Sequence, residues 1–232
     1  MGIFGHRVKT TSPATPASPD PSPDPGRALS AARADGPFDR AEVSALEGRI
    51  DLGALWVTAA PGVAMHLEMG SEPPVPVALT AVLGKSSLQL QAFAAPSSEG
   101  VWADVAAEIA AGIAEAGGTA AVATGPWGTE LRARLAGQGP GTATVPARFV
   151  GIDGPRWFLR AVITGPAALG AHANALLDVV RATVVVRGPD AMAPRELLPL
   201  RLPGHGDQEL APPSTALFGP SLRIDHLSTP RP

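Results

Sequence analysis

Seven Gly-Pro pairs are spread along the chain, among them Gly125-Pro126, Gly154-Pro155, Gly165-Pro166 and Gly188-Pro189. Proline bars the residue before it from helical angles, and glycine makes unusual angles cheap, so each pair ends whatever element precedes it. The apolar residues between the pairs must therefore be buried by short elements. Their spacing decides which kind.

Runs of strand-forming residues bounded by turn residues predict strands at Leu55–Thr58, Ala64–Met69, Pro76–Leu83 and Ser87–Ala94, with Gly84-Lys85-Ser86 as a tight turn between the last two. Further strands are expected at Thr119–Ala123, Thr129–Leu135, Thr142–Gly151, Arg156–Thr164 and Thr183–Arg187, with Asp153-Gly154 as a hairpin turn. Two segments follow a helical period instead. One runs from about Glu99 to Ala116, with Ser98 as cap, Gly117-Gly118 as stop, and Trp102, Val105, Ile109 and Ile113 on one face. Burying that stripe is worth roughly 6–12 kcal/mol as an upper bound, which explains it without a ligand. The other, about Leu169 to Val180, carries Leu169, Ala173, Leu176, Leu177 and Val180 on one face. Asp39 and Glu42 have the spacing of a capping box and predict a short helix over about 40–47.

Meander strands broken by two helices indicate an α+β fold: a single domain with an antiparallel or mixed sheet and two main helices packed on it. Leu88–Pro126 and Trp157–Pro189 both read strand, helix, strand, Gly-Pro, an echo consistent with a duplicated half-domain. The domain is expected at 36–203. Residues 1–35 are rich in Pro, Ser, Thr, Ala and Asp, and 204–232 are similar, so both are expected to be disordered tails.

Composition narrows the chemistry. The chain has no cysteine, which removes disulfides, thiolate metal sites and cysteine nucleophiles. A net charge of −3 and 4% aromatic residues argue against nucleic acid as a partner. No apolar run follows the basic residues near Met1, and none approaches the length of a membrane helix, so a cytoplasmic protein without membrane insertion is expected. Gly84-Lys85-Ser86 lacks the earlier glycine of a phosphate-binding loop and precedes a strand rather than a helix. His66 and His172 have no second ligand at helical spacing, and His6, His205 and His226 lie in the tails. Glu68, Asp104, Glu108, Glu130 and Asp178 are scattered. No catalytic residue, metal ligand or cofactor site is assigned.

One cluster stands out. Of the 18 basic residues only Lys9 and Lys85 are lysine. Arg132 and Arg134 alternate with Leu131, Ala133 and Leu135, so both guanidinium groups share one sheet face. Arg148 and Arg160, on following strands, are expected to join them in a patch for a partner or an anion, with Gln89 and Gln91 nearby. The alternative is an ordinary solvated face. The proline-spaced strip Ala193–Pro203 is expected to pack Leu197, Leu198, Leu200 and Leu202 on its own domain rather than serve as a docking strip, and Ala216–Ile224 is a lesser strip of the same kind.

Gly36–Arg40, Arg49–Leu55, Leu88–Pro96, Gly154–Arg160 and Met192–Pro203, with the Met1–Gly5 start, resemble the actinobacterial domain-of-unknown-function family numbered 3710. That resemblance brings no catalytic residues, although genes of the family often lie beside one for deoxyuridine triphosphatase. Residues 142–187 are also similar to the closing hairpin, helix and strand of PsbP-like domains. The expected function is a non-enzymatic protein-binding or adaptor module with a protein partner. The alternative is an enzyme or a small-ligand protein that binds a nucleotide or phosphate metabolite.

Overall fold

Two sheets organise the chain in a computed structural model that describes residues 32–71, 73–96, 100–137 and 142–204. The larger is built from β4 (Ala64–Met69), β5 (Pro76–Leu83), β6 (Ser86–Ala94), β7 (Thr119–Gly125), β8 (Gly128–Leu135), β9 (Val145–Gly154) and β10 (Trp157–Thr164). Its strand order is β4-β5-β6-β10-β9-β8-β7, antiparallel throughout. The smaller joins β1 (Phe38–Asp39), β2 (Ile50–Asp51), β3 (Leu55–Val57) and β11 (Val184–Val185) in the order β1-β11-β3-β2, with β1 parallel to β11.

Alternation along the strands divides the core between the two faces of the large sheet. Leu88, Leu90, Leu159, Ala161 and Ile163 face one way, into a cluster with Leu55, Val57, Leu176 and Val180. That side is covered by helix α2 (Ala173–Ala182), the small sheet and a 3-10 turn, Gly165–Leu169. Phe93, Phe149, Phe158, Leu131 and Ala133 face the other way, under helix α1 (Trp102–Glu115), whose Trp102, Val105 and Ile113 are buried against them. Trp102 stacks on Phe158 at 6.1 Å between ring centroids, and Gly151 leaves room for the indole. Read inwards, the strand order is β4-β5-β6 from one end and β7-β8-β9-β10 from the other, and α1 and α2 cover opposite faces. The two echoing segments also part at their third elements, β7 lying at the edge of the large sheet and β11 in the small one.

The expected fold class is the observed one, with local differences that have physical causes. The capping box forms, since the Ala41 amide donates to Asp39 and the Asp39 amide to Glu42, but it closes only a 3-10 turn at Arg40–Glu42 instead of a helix over 40–47. Glu42 also accepts two hydrogen bonds from the buried Arg33, and the chain leaves helical angles at Val43, φ −119° and ψ 139°. The second helix begins at Ala173 because Gly170 and His172 adopt left-handed angles, φ 109° and 54°. Leu169 consequently ends the 3-10 turn and is 64% exposed rather than part of the core stripe. The last strand shrinks to Val184–Val185. Ser98, the tail segments up to 31 and beyond 204, and Ala216–Ile224 lie outside the described residues.

Asp153 is not a turn residue. Its strand continues to Gly154, and Pro155-Arg156 makes the turn, with Arg156 at φ 65°. The Asp153 carboxylate instead accepts the Val101 and Trp102 amides at 2.8 and 3.3 Å, capping α1 across the fold where Val101 has no capping side chain of its own. Burial pushes the Asp153 carboxyl above its ordinary range, opposed by those two hydrogen bonds.

The strip Ala193–Pro203 packs on its own domain. Leu197 bridges Phe93, Leu200 bridges Gly53, and Leu197, Leu198 and Leu200 are buried, while Leu202 is 48% exposed.

Candidate functional site

Strand β8 points Leu131, Ala133 and Leu135 at α1 and turns Glu130, Arg132 and Arg134 to the opposite face. Register then decides which arginines meet. Arg132 stands opposite Arg148 of β9, and the two share one carboxylate. Arg148 Nε and Nη2 donate to Glu130 Oε2 at 2.9 and 2.6 Å, and Arg132 Nε donates to Oε1 at 2.9 Å. Glu130 is 1% exposed and Arg148 5%, so this is a buried ion pair with an exposed third member. Arg134 is exposed and makes no ion pair among the described residues.

Arg160 does not join the patch. Its Cα partner on β9 is Gly151, not Arg148, which puts it on the α1 face of the sheet. There its guanidinium donates to Gln91 and lies 5.5 Å from the Phe93 ring centroid, with Nε unpartnered. Burial pulls its pKa down to about 10, so it stays charged at neutral pH. Gln89 binds Glu68, which also accepts from Thr80, and Gln89 and Gln91 belong to this second polar row rather than to the patch.

A groove of about 280 Å³ runs beside the arginine patch, lined by Thr119, Ala121, Arg132, Arg134, Ala168 and Leu169 among others. Its outer wall is β7, an edge strand of the large sheet. β7 reads Thr-Ala-Ala-Val-Ala-Thr-Gly, with Thr119 and Ala121 opposite Arg134 and Arg132 and Val122 72% exposed on the other face. No strand among the described residues pairs with its outer side. Neither the shared carboxylate nor the free edge was assigned from the sequence. Glu130 at two residues from Arg132 was the signal available for the first, and strand order has no local signal at all.

A second groove, about 400 Å³ and mostly apolar, lies between the small sheet and β4, lined by Leu52, Val57, Met65, Leu67 and Leu202 among others. His66 and His172 are exposed on separate elements, and among the described residues no three His, Asp or Glu side chains are grouped to hold a metal ion. No helix of the described residues is long and apolar enough to cross a membrane.

The motifs that carry the family resemblance have structural work. Trp157 of Gly154–Arg160 donates its indole N–H to Asp39 of Gly36–Arg40 at 2.7 Å, with Arg33 over its ring. Trp127 donates to the Gly36 carbonyl at 2.6 Å, and Arg40 lies over Trp56 at 4.6 Å.

Comparison with known proteins agrees with that resemblance. No curated protein matches the chain in sequence. A crystal structure from Bacteroides thetaiotaomicron VPI-5482 is similar at 17% identity and a TM-score of 0.35, over 66% of this chain and 53% of that one. The chain thus spans about half the length of that protein. The family described as "Protein of unknown function (DUF3710)" matches residues 36–209, and the chain belongs to it.

Proposed function

We propose that this DUF3710 protein is a non-enzymatic protein-binding or adaptor module of the cytoplasm, and that its binding face is the outer edge made by β7 and β8. One observation carries the reading. Two exposed guanidinium groups, Arg132 and Arg134, stand directly behind an edge strand that has no lysine, proline or bulge to guard it. An unguarded edge offers alternate unpaired amides and carbonyls, which is a liability unless a partner covers it. Elsewhere the carboxylates serve the fold: Asp39 and Glu42 close a turn, Glu130 binds two arginines, and Asp153 caps α1.

The groove favours a second reading, a small anionic ligand such as a nucleotide or phosphate metabolite held by the same two arginines. One experiment separates the two. A photo-crosslinking residue at Val122 should yield a discrete protein adduct in cells, lost in the Arg132→Glu/Arg134→Glu variant. An adduct of equal yield in the charge-reversed protein overturns the binding face. A thermal shift with phosphate metabolites and no adduct supports the small ligand instead.

A further inference from the structure

We propose that the partner adds to β7 as an extended strand with carboxylates at alternate positions facing Arg132 and Arg134 and aliphatic residues at the positions between. The proposal rests on the reading of β7 and β8 as the binding face and names the chemistry of what binds there.

The geometry makes the pattern specific. A strand added to β7 lies two strand spacings, roughly 9–10 Å, from β8. Long arginine side chains on β8 reach over β7 only if the intervening residues are small, and here they are Thr119 and Ala121. Arg132 and Arg134 are two residues apart on one strand, so their spacing along the sheet equals that of alternate residues on any strand added in parallel or antiparallel sense. Residues of the added strand that face the arginines therefore recur with the period of the arginines themselves.

Charge sets the side-chain type. Among the described residues Glu130 is the one carboxylate paired with this group, and it is already engaged by both Arg148 and Arg132. Only the Nε of Arg132 is committed to it, and Arg134 is uncommitted among the described residues. The β7 residues on this face, Thr119, Ala121 and Ala123, bring no charge. The face is left positive, and carboxylates are the groups whose geometry matches guanidinium forks. On the reverse face the added strand meets Val122, 72% exposed, which an aliphatic side chain would cover.

The test titrates the full chain with a fluorescein-labelled peptide of alternating Glu and Val, matched to the seven residues of β7. Binding should be accompanied by slowed amide exchange across Thr119–Gly125. It should weaken at least about tenfold with Arg132→Glu/Arg134→Glu. A Lys-Val peptide should not bind. The Glu-Val peptide methylated at alternate backbone nitrogens should lose binding comparably, because it cannot complete the ladder. Arg134→Gln serves as a milder variant, and unchanged melting temperatures confirm that both variants fold. Equal binding of the methylated peptide overturns strand addition while leaving the arginine face as the binding face. Absence of binding by the Glu-Val peptide overturns the proposal. The Val122 adduct then decides separately whether the face binds a partner of other chemistry.

Discussion

Arg132 and Arg148 stand directly across the β8–β9 ladder from one another, two like charges held together by the single carboxylate of Glu130. Without it the closer guanidinium would be a buried charge with no counter-ion, and the outer one would swing free. The carboxylate thus stabilises the sheet interior and aims the exposed arginine. Three consequences of the packing, and one of the ion pair itself, can be measured.

Glu130→Gln should destabilise the fold by about 3–5 kcal/mol, because it strands a buried Arg148. Urea denaturation of Glu130→Gln/Arg148→Met should show a smaller loss than the single variant, since the charge that needed a partner is gone. Equal losses would mean the pair contributes through packing alone.

Asp153 should make stability depend on pH. Its folded pKa is raised above the ordinary 3.8 by burial, so the protonated form is favoured in the folded state. The stability that this contributes is fully present below the ordinary value and is lost as pH rises through the folded value. Asp153→Asn keeps an acceptor for the α1 amides without a charge. The melting temperature of the native protein minus that of Asp153→Asn should therefore fall between about pH 3 and pH 7. A flat difference would show that the cap is indifferent to charge.

Two glycines should respond in opposite directions. A Cβ at Gly151 would come within 2.1–2.7 Å of the Trp102 ring, so Gly151→Ala should cost about 1–3 kcal/mol through displacement of the indole. Gly112, inside α1, has nothing within 4 Å of its added Cβ, and Gly112→Ala should stabilise by roughly 0.5–1 kcal/mol. Chemical denaturation of the two variants side by side reads both signs, and tryptophan fluorescence should shift only in the first.

The returning strip offers a matched pair of leucines. Leu198 is 1% exposed and Leu202 48%. Leu198→Ala should cost about 2–5 kcal/mol, while Leu202→Ser should remain within about 0.5 kcal/mol of native. Similar small effects at both positions would mean that the strip is only loosely attached.

What could be read from the chain before its structure was what depends on local period. Leu131, Arg132, Ala133 and Arg134 alternate, so a shared face for the two arginines followed from strand geometry alone. Val105 and Ile113 fell on a helical stripe and are buried. Arg160 was misplaced although the parity of the turn told against it: a two-residue turn at Asp153-Gly154 or at Pro155-Arg156 sets Arg160 opposite an odd-numbered residue of β9, here Gly151, and so on the face away from Arg148. Placing the turn at Asp153-Gly154 instead of Pro155-Arg156 hid the role of Asp153 as a cap for a helix some fifty residues earlier. The small sheet was only half legible: Leu55–Thr58 and Thr183–Arg187 contain its β3 and β11, whereas β1 and β2 are two residues each and have no period to detect. The exposed flank of β7 is a property of strand order, which no local pattern carries.

The pairing of Phe38 with Val184 bears on how the protein is made. An emerging chain cannot complete its small sheet until nearly all of the domain has left the ribosome, because the first strand waits for the last one. The Leu197–Leu200 strip, which bridges both Phe93 and Gly53, arrives later still. A translation arrest before these segments would leave Phe38, Gly53 and Phe93 without their partners.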